Sequence, residues 1–368
     1  MSFTMIQVLK EQYKEPKDGY SVKWAYVEAC ILKGYLDSYE YFGNEADYLY
    51  VKQFVDQMYD VNGDIPGIRL DKYNIDQIRM GSVLFQLYQI EQDLRYKQVL
   101  DLLYEQLKVY PRTKSGSFWH KDNYPNQVWL DGLYMGQPFY VQYIKQFEDV
   151  KNYSDTIHQF INARKFLYDD QTHLLKHAYD ESREMFWCDK VTGHSPHVWC
   201  RAIGWYVMAL VDVLELLEGE NVDREQLVEL LRETIEETVV YQHDDGMWYQ
   251  VVNMQDKEDN YLESSGTLML SYAILKGVRL GYLPNRLAVH GEKAFQGTVD
   301  RYVYEQDSEV RLAGICKSAG LGRNPDTGIV RDGSYHYYIH GERIVENNGH
   351  GVAPLIMAFH EMLLLNKG

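Results

Sequence analysis

Asp131 stands in Trp129-Leu130-Asp131-Gly132-Leu133-Tyr134-Met135, a carboxyl set among aromatic and apolar neighbours at the opening of a helical pattern. Apolar walls disfavour the charged form of an acid, so this setting suits a proton donor. The same position also suits an acid that only answers the positive end of a helix and its first backbone N–H groups. A second carboxylate, Asp76, lies in Tyr73-Asn74-Ile75-Asp76-Gln77. Two acids brought close together push their ionisations apart, one keeping a proton as general acid while the other stays charged. Asp131, beside Trp129 and Met135, is the candidate donor; Asp76 is the candidate charged partner or, equally, a helix cap.

Arg201 lies in His197-Val198-Trp199-Cys200-Arg201-Ala202-Ile203-Gly204-Trp205, flanked by the indoles of Trp199 and Trp205. Such a guanidinium either locks loops by stacking and ion pairs or binds an anionic ligand group. The histidines follow no common metal spacing, and no H-E-x-x-H or Cys/His cluster occurs. Neither a metal nor another cofactor is expected.

These residues need a frame that gathers distant stretches. Helical periodicity recurs about a dozen times, with almost no convincing alternating strands. It comes in pairs. One member is apolar on most faces: Trp24 to Tyr39, Asn74 to Ile90, Trp129 to Tyr143, Trp199 to Leu217, Glu263 to Val278 and Asn348 to Leu365. The other is amphipathic and charged: Phe3 to Tyr13, Ala46 to Tyr59, Asp93 to Val109, Asn152 to Phe166, Asp223 to Val240 and Leu287 to Tyr304. A helix apolar all round must be surrounded by protein, whereas a striped one can face water.

Six of each in alternation predict an all-α (α/α)6 barrel, a six-hairpin toroid with an inner ring inside an outer one. An open α-solenoid is the alternative, disfavoured because six modules with buried inner helices can close on themselves. No Pro/Ser-rich linker divides the chain, so residues 1–368 are expected to form one catalytic domain. Long aromatic-rich connections at 115–128, 174–198, 246–262 and 327–347 precede inner helices, and such loops on one face of a scaffold carry sites. If the inner helices run in one direction, their first residues share one mouth with loop residues His120, His177, His194, His197 and Tyr338. So many polar groups buried together would be costly for structure alone.

The formal charge of −17 argues against nucleic acid or an anionic membrane as partner, because both demand clustered Lys and Arg. The 32 Tyr and seven Trp suit a sugar cleft, where a flat face stacks on the ring and a polar tip hydrogen-bonds, although most must be packing groups. A small oligosaccharide is the expected partner; the oligomeric state is not encoded in any feature of the chain. The opening Met1-Ser2-Phe3-Thr4-Met5-Ile6-Gln7-Val8-Leu9-Lys10 lacks a secretion leader, and no stretch reaches the ~20 apolar residues of a membrane span. The four cysteines are scattered, which fits reduced thiols and a cytoplasmic location.

The two motifs around Asp131 and Arg201, together with Glu263-Ser264-Ser265-Gly266, Leu275-Lys276-Gly277-Val278-Arg279-Leu280-Gly281-Tyr282-Leu283 and Val345-Glu346-Asn347-Asn348-Gly349-His350-Gly351-Val352, resemble the unsaturated rhamnogalacturonyl hydrolases, glycoside hydrolase family 105. The match runs in order over nearly the whole chain. It implies an (α/α)6 barrel that removes a 4,5-unsaturated galacturonate from the non-reducing end of pectin-derived oligosaccharides. The chemistry implied is hydration of the enol ether: an Asp protonates C4, water adds at C5, and the hemiketal collapses to release the next sugar. By position that Asp is Asp131, with Asp76 as the family's second carboxylate and Trp129 favouring the neutral form of the donor. The resemblance also implies that Tyr26, His120, His177, Trp199, Arg201 and Trp205 line the sugar pocket. Asn348 stands where the family pattern leads one to expect Asp. Related family 88 unsaturated glucuronyl hydrolases share fold and chemistry but act on glycosaminoglycan fragments, and a catalytically silent sugar-binding toroid is the reading outside enzymology.

Overall fold

A computed structural model describes residues 2–14, 22–324 and 327–365. Every helical pattern read from the sequence forms a helix. In chain order they are α1 (Ser2–Tyr13), α2 (Tyr26–Phe42), α3 (Glu45–Asp56), α4 (Ile75–Glu91), α5 (Leu94–Lys108), α6 (Leu130–Phe147), α7 (Ser154–Leu167), α8 (Cys200–Leu216), α9 (Glu225–Val239), α10 (Ser264–Arg279), α11 (Ala288–Tyr302) and α12 (Gly349–Leu365). The even-numbered helices pack in sequence, and α12 returns to α2, which closes the inner ring of an (α/α)6 barrel. The odd-numbered helices back onto it. Helix α8 buries every residue from Cys200 to Leu214, whereas α9 buries only a stripe of Leu227, Leu230, Leu231, Thr234, Ile235 and Thr238. The difference in hydrophobic pattern is what sorts one into the inner ring and the other outside.

The first amides of a helix have no partner within it. In this barrel they are met from the neighbouring module. The Ile75 N–H of α4 donates to the His120 carbonyl at 3.1 Å, Leu130 of α6 to His177 at 3.2 Å, Cys200 of α8 to Gln250 at 3.0 Å and Ser264 of α10 to Gly314 at 3.0 Å. Each acceptor lies in the connection leading to the following inner helix. Short antiparallel contacts reinforce these ties, pairing Asn74 with Lys121, Trp129 with Ala178 and Trp199 with Val251. The long connections are thereby sewn across the N-terminal ends of the inner helices. Strand structure is confined to such pieces of two to four residues. Among the described residues no helix is long and apolar enough to cross a membrane.

Candidate active site

Asp131 lies in the first turn of α6 and borders an open cavity. Asp76, in the first turn of α4, borders the same space, as do Tyr26, His120 and Trp129. Met135 reaches it one turn beyond Asp131, and Trp199, Arg201 and Trp205 reach it from the start of α8. The starts of four inner helices, α2, α4, α6 and α8, share this space, whereas those of α10 and α12 do not border it. The cap of α4 is Asn74, whose side chain accepts from the Asp76 N–H at 3.1 Å, so the Asp76 carboxylate is not the capping group considered for it.

His120 is 4% exposed and stacks flat on Trp129, with ring centres 4.5 Å apart and planes within 5°. Tyr124 continues the stack on Trp129 at 5.1 Å. Burial pushes the His120 pKa down to about 4 against the opposing pull of Asp76, whose Oδ1 is 3.7 Å from Nε2, so the ring is neutral at pH 7. Lys121 makes the ion pair with Asp76, Nζ to Oδ2 at 2.7 Å.

His177 is corrected from cavity lining to support. It is fully buried behind Asp131, with Nε2 3.5 Å from Oδ2, ion-pair reach but long for a hydrogen bond. Its Nδ1 lies 2.7 Å from the Tyr338 hydroxyl. A carboxylate can only accept, so the tautomer that suits both neighbours carries its proton on Nε2 and takes the Tyr338 O–H at Nδ1.

The ionisation of Asp131 is a second correction. Burial alone would raise its pKa, as the Trp129 setting led one to expect. His177, then the charges of His120 and Arg201, outweigh burial and hold it below the ordinary value. Because His120 is neutral at pH 7, Arg201 is the permanent cation among them. The free site therefore holds Asp131 as a carboxylate.

Arg201 does the first job considered for it, holding loops together by stacking and hydrogen bonds. Its guanidinium lies over Trp199 at 4.6 Å, Nη1 donates to Ser265 Oγ at 3.0 Å and to the Cys316 carbonyl, and Glu263 Oε1 is 4.0 Å away. Its Nε is buried without a partner, and the side chain borders the cavity. Glu263 also caps α10 through the Gly266 N–H at 2.6 Å. Gly266 has to be glycine: a Cβ there would sit 2.6 Å from Cys200 Sγ and 2.8 Å from the Arg201 nitrogen.

Asn348 finds a role in ordering the mouth. Its Oδ1 accepts from the His350 N–H at 3.1 Å and lies 2.7 Å from His350 Nδ1, while His350 Nε2 is 2.7 Å from the Tyr26 hydroxyl. His194 and His197 stand apart from the cavity wall: His194 Nε2 bonds the Phe166 carbonyl at 2.9 Å, and His197 packs edge-on to Tyr335 and Tyr338.

The floor is a stack. Trp205 lies on Tyr134 at 5.1 Å, and the Arg79 guanidinium covers the other ring partner at 3.9 Å from the Tyr134 centre. Arg79 borders a second cavity at the far end of the inner ring, so these three side chains stand between the two spaces.

Sequence reasoning missed Lys121, Tyr124, the segment Ser318-Ala319-Gly320 and Arg331, all on the cavity wall. A lysine next to a histidine, or an arginine in a polar loop, carries no local signal. The one available clue was repetition: Lys121 and Ala178 follow His120 and His177 at equivalent tie points.

The closed double ring of helices is the (α/α)6 barrel of glycoside hydrolases. The chain belongs to glycosyl hydrolase family 88, whose profile it matches over residues 3–366. A family 105 glycoside hydrolase from C. acetobutylicum ATCC 824 is 38% identical, with 99% of each chain superposed at a TM-score of 0.90. The unsaturated rhamnogalacturonyl hydrolase YesR of Bacillus subtilis is 25% identical over 264 residues, which span 70% of this chain and 72% of that protein. The unsaturated glucuronyl hydrolase of Bacillus sp. GL1 is alike in fold, at 15% identity and a TM-score of 0.66 over 97% of this chain and 95% of that one.

Proposed function

We propose that this glycosyl hydrolase releases a 4,5-unsaturated galacturonate from the non-reducing end of rhamnogalacturonan-derived oligosaccharides by hydrating the enol ether, with Asp131 as general acid and base. The observation that carries this reading is the setting of Asp131: a carboxylate at the cavity, backed by the His177–Tyr338 pair and close to the fixed charge of Arg201. An acid held ionised in the empty site acquires its proton when the ligand enters. A uronate brings like charge and displaces water, and both raise the pKa of Asp131. The acid then gives that proton to C4 as the double-bond electrons move to it. Positive charge develops at C5 and is shared with the ring oxygen. Water adds at C5 and returns a proton to Asp131, and the hemiketal collapses with release of the next sugar. Asp76, paired with Lys121, presents acceptor and donor atoms for sugar hydroxyls.

Contributions from Tyr26 to His350 support action as a single catalytic domain. Purified enzyme added to unsaturated galacturonyl-rhamnose is expected to abolish the enol-ether ultraviolet absorbance; an unchanged absorbance with every unsaturated pectic disaccharide would sink the reading. Running the unsaturated glucuronyl disaccharide alongside sets the preference between uronates.

A further inference from the structure

Behind the acid, two polar atoms have no partner but each other. Asp131 Oδ2 and His177 Nε2 are both buried without a hydrogen bond, and they face one another at 3.5 Å. Their contact is attractive only while Nε2 carries the imidazole proton; with that proton on Nδ1, a ring lone pair would face the carboxylate. The choice is made on the other side of the ring. The Tyr338 hydroxyl lies 2.7 Å from Nδ1 and has no other hydrogen-bond partner among the described residues. Burial, and then the charge of Asp131, push its pKa well up, so it stays protonated and Nδ1 is the acceptor within its reach.

Tyr338 is 1% exposed and, like His177, does not border the cavity, so any effect on the reaction passes through the imidazole. Its backbone is held firmly. It lies in the π-helical turn Tyr337–Gly341, its N–H donates to the Ser334 carbonyl at 3.1 Å, and its carbonyl accepts from Gln250 Nε2 at 3.1 Å. The buried Gln250 side chain in turn accepts from the Trp199 indole N–H at 3.0 Å, which ties the Tyr338 turn to the cavity wall. Such π-helical turns are rare and recur at functional sites.

Resting on the enol-ether reading above, we infer that Tyr338 is a positioning residue for the reaction: by donating to His177 Nδ1 it keeps the imidazole proton on Nε2, where an N–H meets Asp131 whenever turnover leaves that acid as a carboxylate. The proton stays on His177 throughout, and neither residue exchanges one with the substrate. The other groups that act on Asp131 are His120 and Arg201, and the shared wall adds Asp76, Lys121 and Tyr26. None of them bonds His177 Nδ1, so removing the Tyr338 hydroxyl leaves their contacts in place.

The variant to make is Tyr338→Phe, which keeps the ring. It is expected to lower kcat about tenfold with KM within about twofold of wild type. The alkaline limb of the kcat profile is expected to move up by roughly one pH unit, because a carboxylate poorer in N–H donors holds its proton more tightly. In a His177→Leu background the same change is expected to alter kcat by less than about twofold, since the path to Asp131 is already cut. Nitrogen-15 shifts of the His177 ring in wild type are expected to place the proton on Nε2; a proton on Nδ1 overturns the inference whatever the turnover. So does a Tyr338→Phe enzyme with wild-type kcat and an unmoved limb. A loss that leaves the limb in place, or recurs in full without His177, makes Tyr338 architectural and overturns it too. Wild type that consumes no unsaturated disaccharide overturns the enol-ether reading instead, and the ring shifts still read the Tyr338 contact.

Discussion

The two ends of the inner ring both bury charge, and they treat it differently. At the far end Asp212 Oδ1 accepts from Lys276 and from the Tyr272 hydroxyl, each at 2.7 Å, and Lys276 also meets Glu215 at 2.7 Å. Arg279 forks onto Glu361 at 2.6 and 2.9 Å. At the mouth, Asp131 Oδ2, His120 Nδ1, His177 Nε2 and the Nε atoms of Arg201 and Arg331 are buried with no hydrogen-bond partner. A buried polar atom left unpaired costs free energy, and both ends carry some, since Asp212 Oδ2 and Arg79 Nε at the far end are unpaired too; what differs is that the far-end carboxylates Asp212 and Glu361 each also hold a close lysine or arginine. The far end pairs its carboxylates with cations across helices, whereas Asp131 has no Lys or Arg within ion-pair distance among the described residues.

That contrast predicts separable losses. The largest is Asp131→Asn, expected to lower kcat by on the order of 10^4 while the unfolding midpoint moves by no more than a few degrees. Turnover within tenfold of wild type would remove Asp131 from the chemistry. The converse change is Lys276→Met, made roughly 16 Å along α10 from Ser265 at 1.5 Å per residue, which takes its only lysine partner from Asp212 Oδ1 among the described residues. It should cost about 3–5 kcal/mol of stability in denaturant titration, with the kcat of the folded fraction retained. A fall in kcat of more than tenfold would mean the ends are not independent.

Acid next distinguishes His120 from Asp212, although the buried His360 at the far end, lowered to about 3, adds to the loss below pH 6.5. Burial lowers His120 from 6.5 to about 4, so between those values the unfolded chain binds the extra proton and stability falls as the pH drops. For Asp212 burial raises the pKa but Lys276, Lys33 and Arg79 bring it down to about 2; its stabilising contribution is lost only as the pH falls from 3.8 towards 2. Melting curves should therefore show a first loss between pH 6.5 and 4, at most about 3 kcal/mol from His120, which His120→Gln diminishes. An unchanged profile in that variant would mean the loss arises at other buried histidines. The smallest effect is expected from Tyr26→Phe, which takes the hydroxyl from His350 and should reduce kcat/KM by about fivefold to tenfold, close to 1 kcal/mol. A variant equal to wild type would make the Tyr26–His350–Asn348 chain purely architectural.

The ring was legible because its cause is periodic. Apolar residues all round α8 and a single stripe on α9 are visible without coordinates. Asp131, Asp76, Trp129 and Arg201 were legible for the same reason, since residues at helix starts inherit a common location once the helices are parallel. Arg331 was not, because its position depends on the Leu321 carbonyl, the Tyr124 hydroxyl and room beside Gly320. The ionisation of Asp131 was misjudged for a related reason: Trp129 adjoins it in sequence, while His177, His120 and Arg201 adjoin it only in space. The place of His177 behind the acid follows from its carbonyl tie to Leu130, which no side-chain pattern announces.

The Trp205–Tyr134–Arg79 stack makes the mouth a cul-de-sac. Under the enol-ether reading proposed above, a substrate enters with its terminal ring first, and after cleavage that ring lies beneath the piece it was joined to. The two products must then depart in a fixed queue, outer piece before inner ring. The free uronate product, last to leave, would compete with the next substrate for the empty enzyme, so an accumulating end product would slow the barrel without any regulatory site.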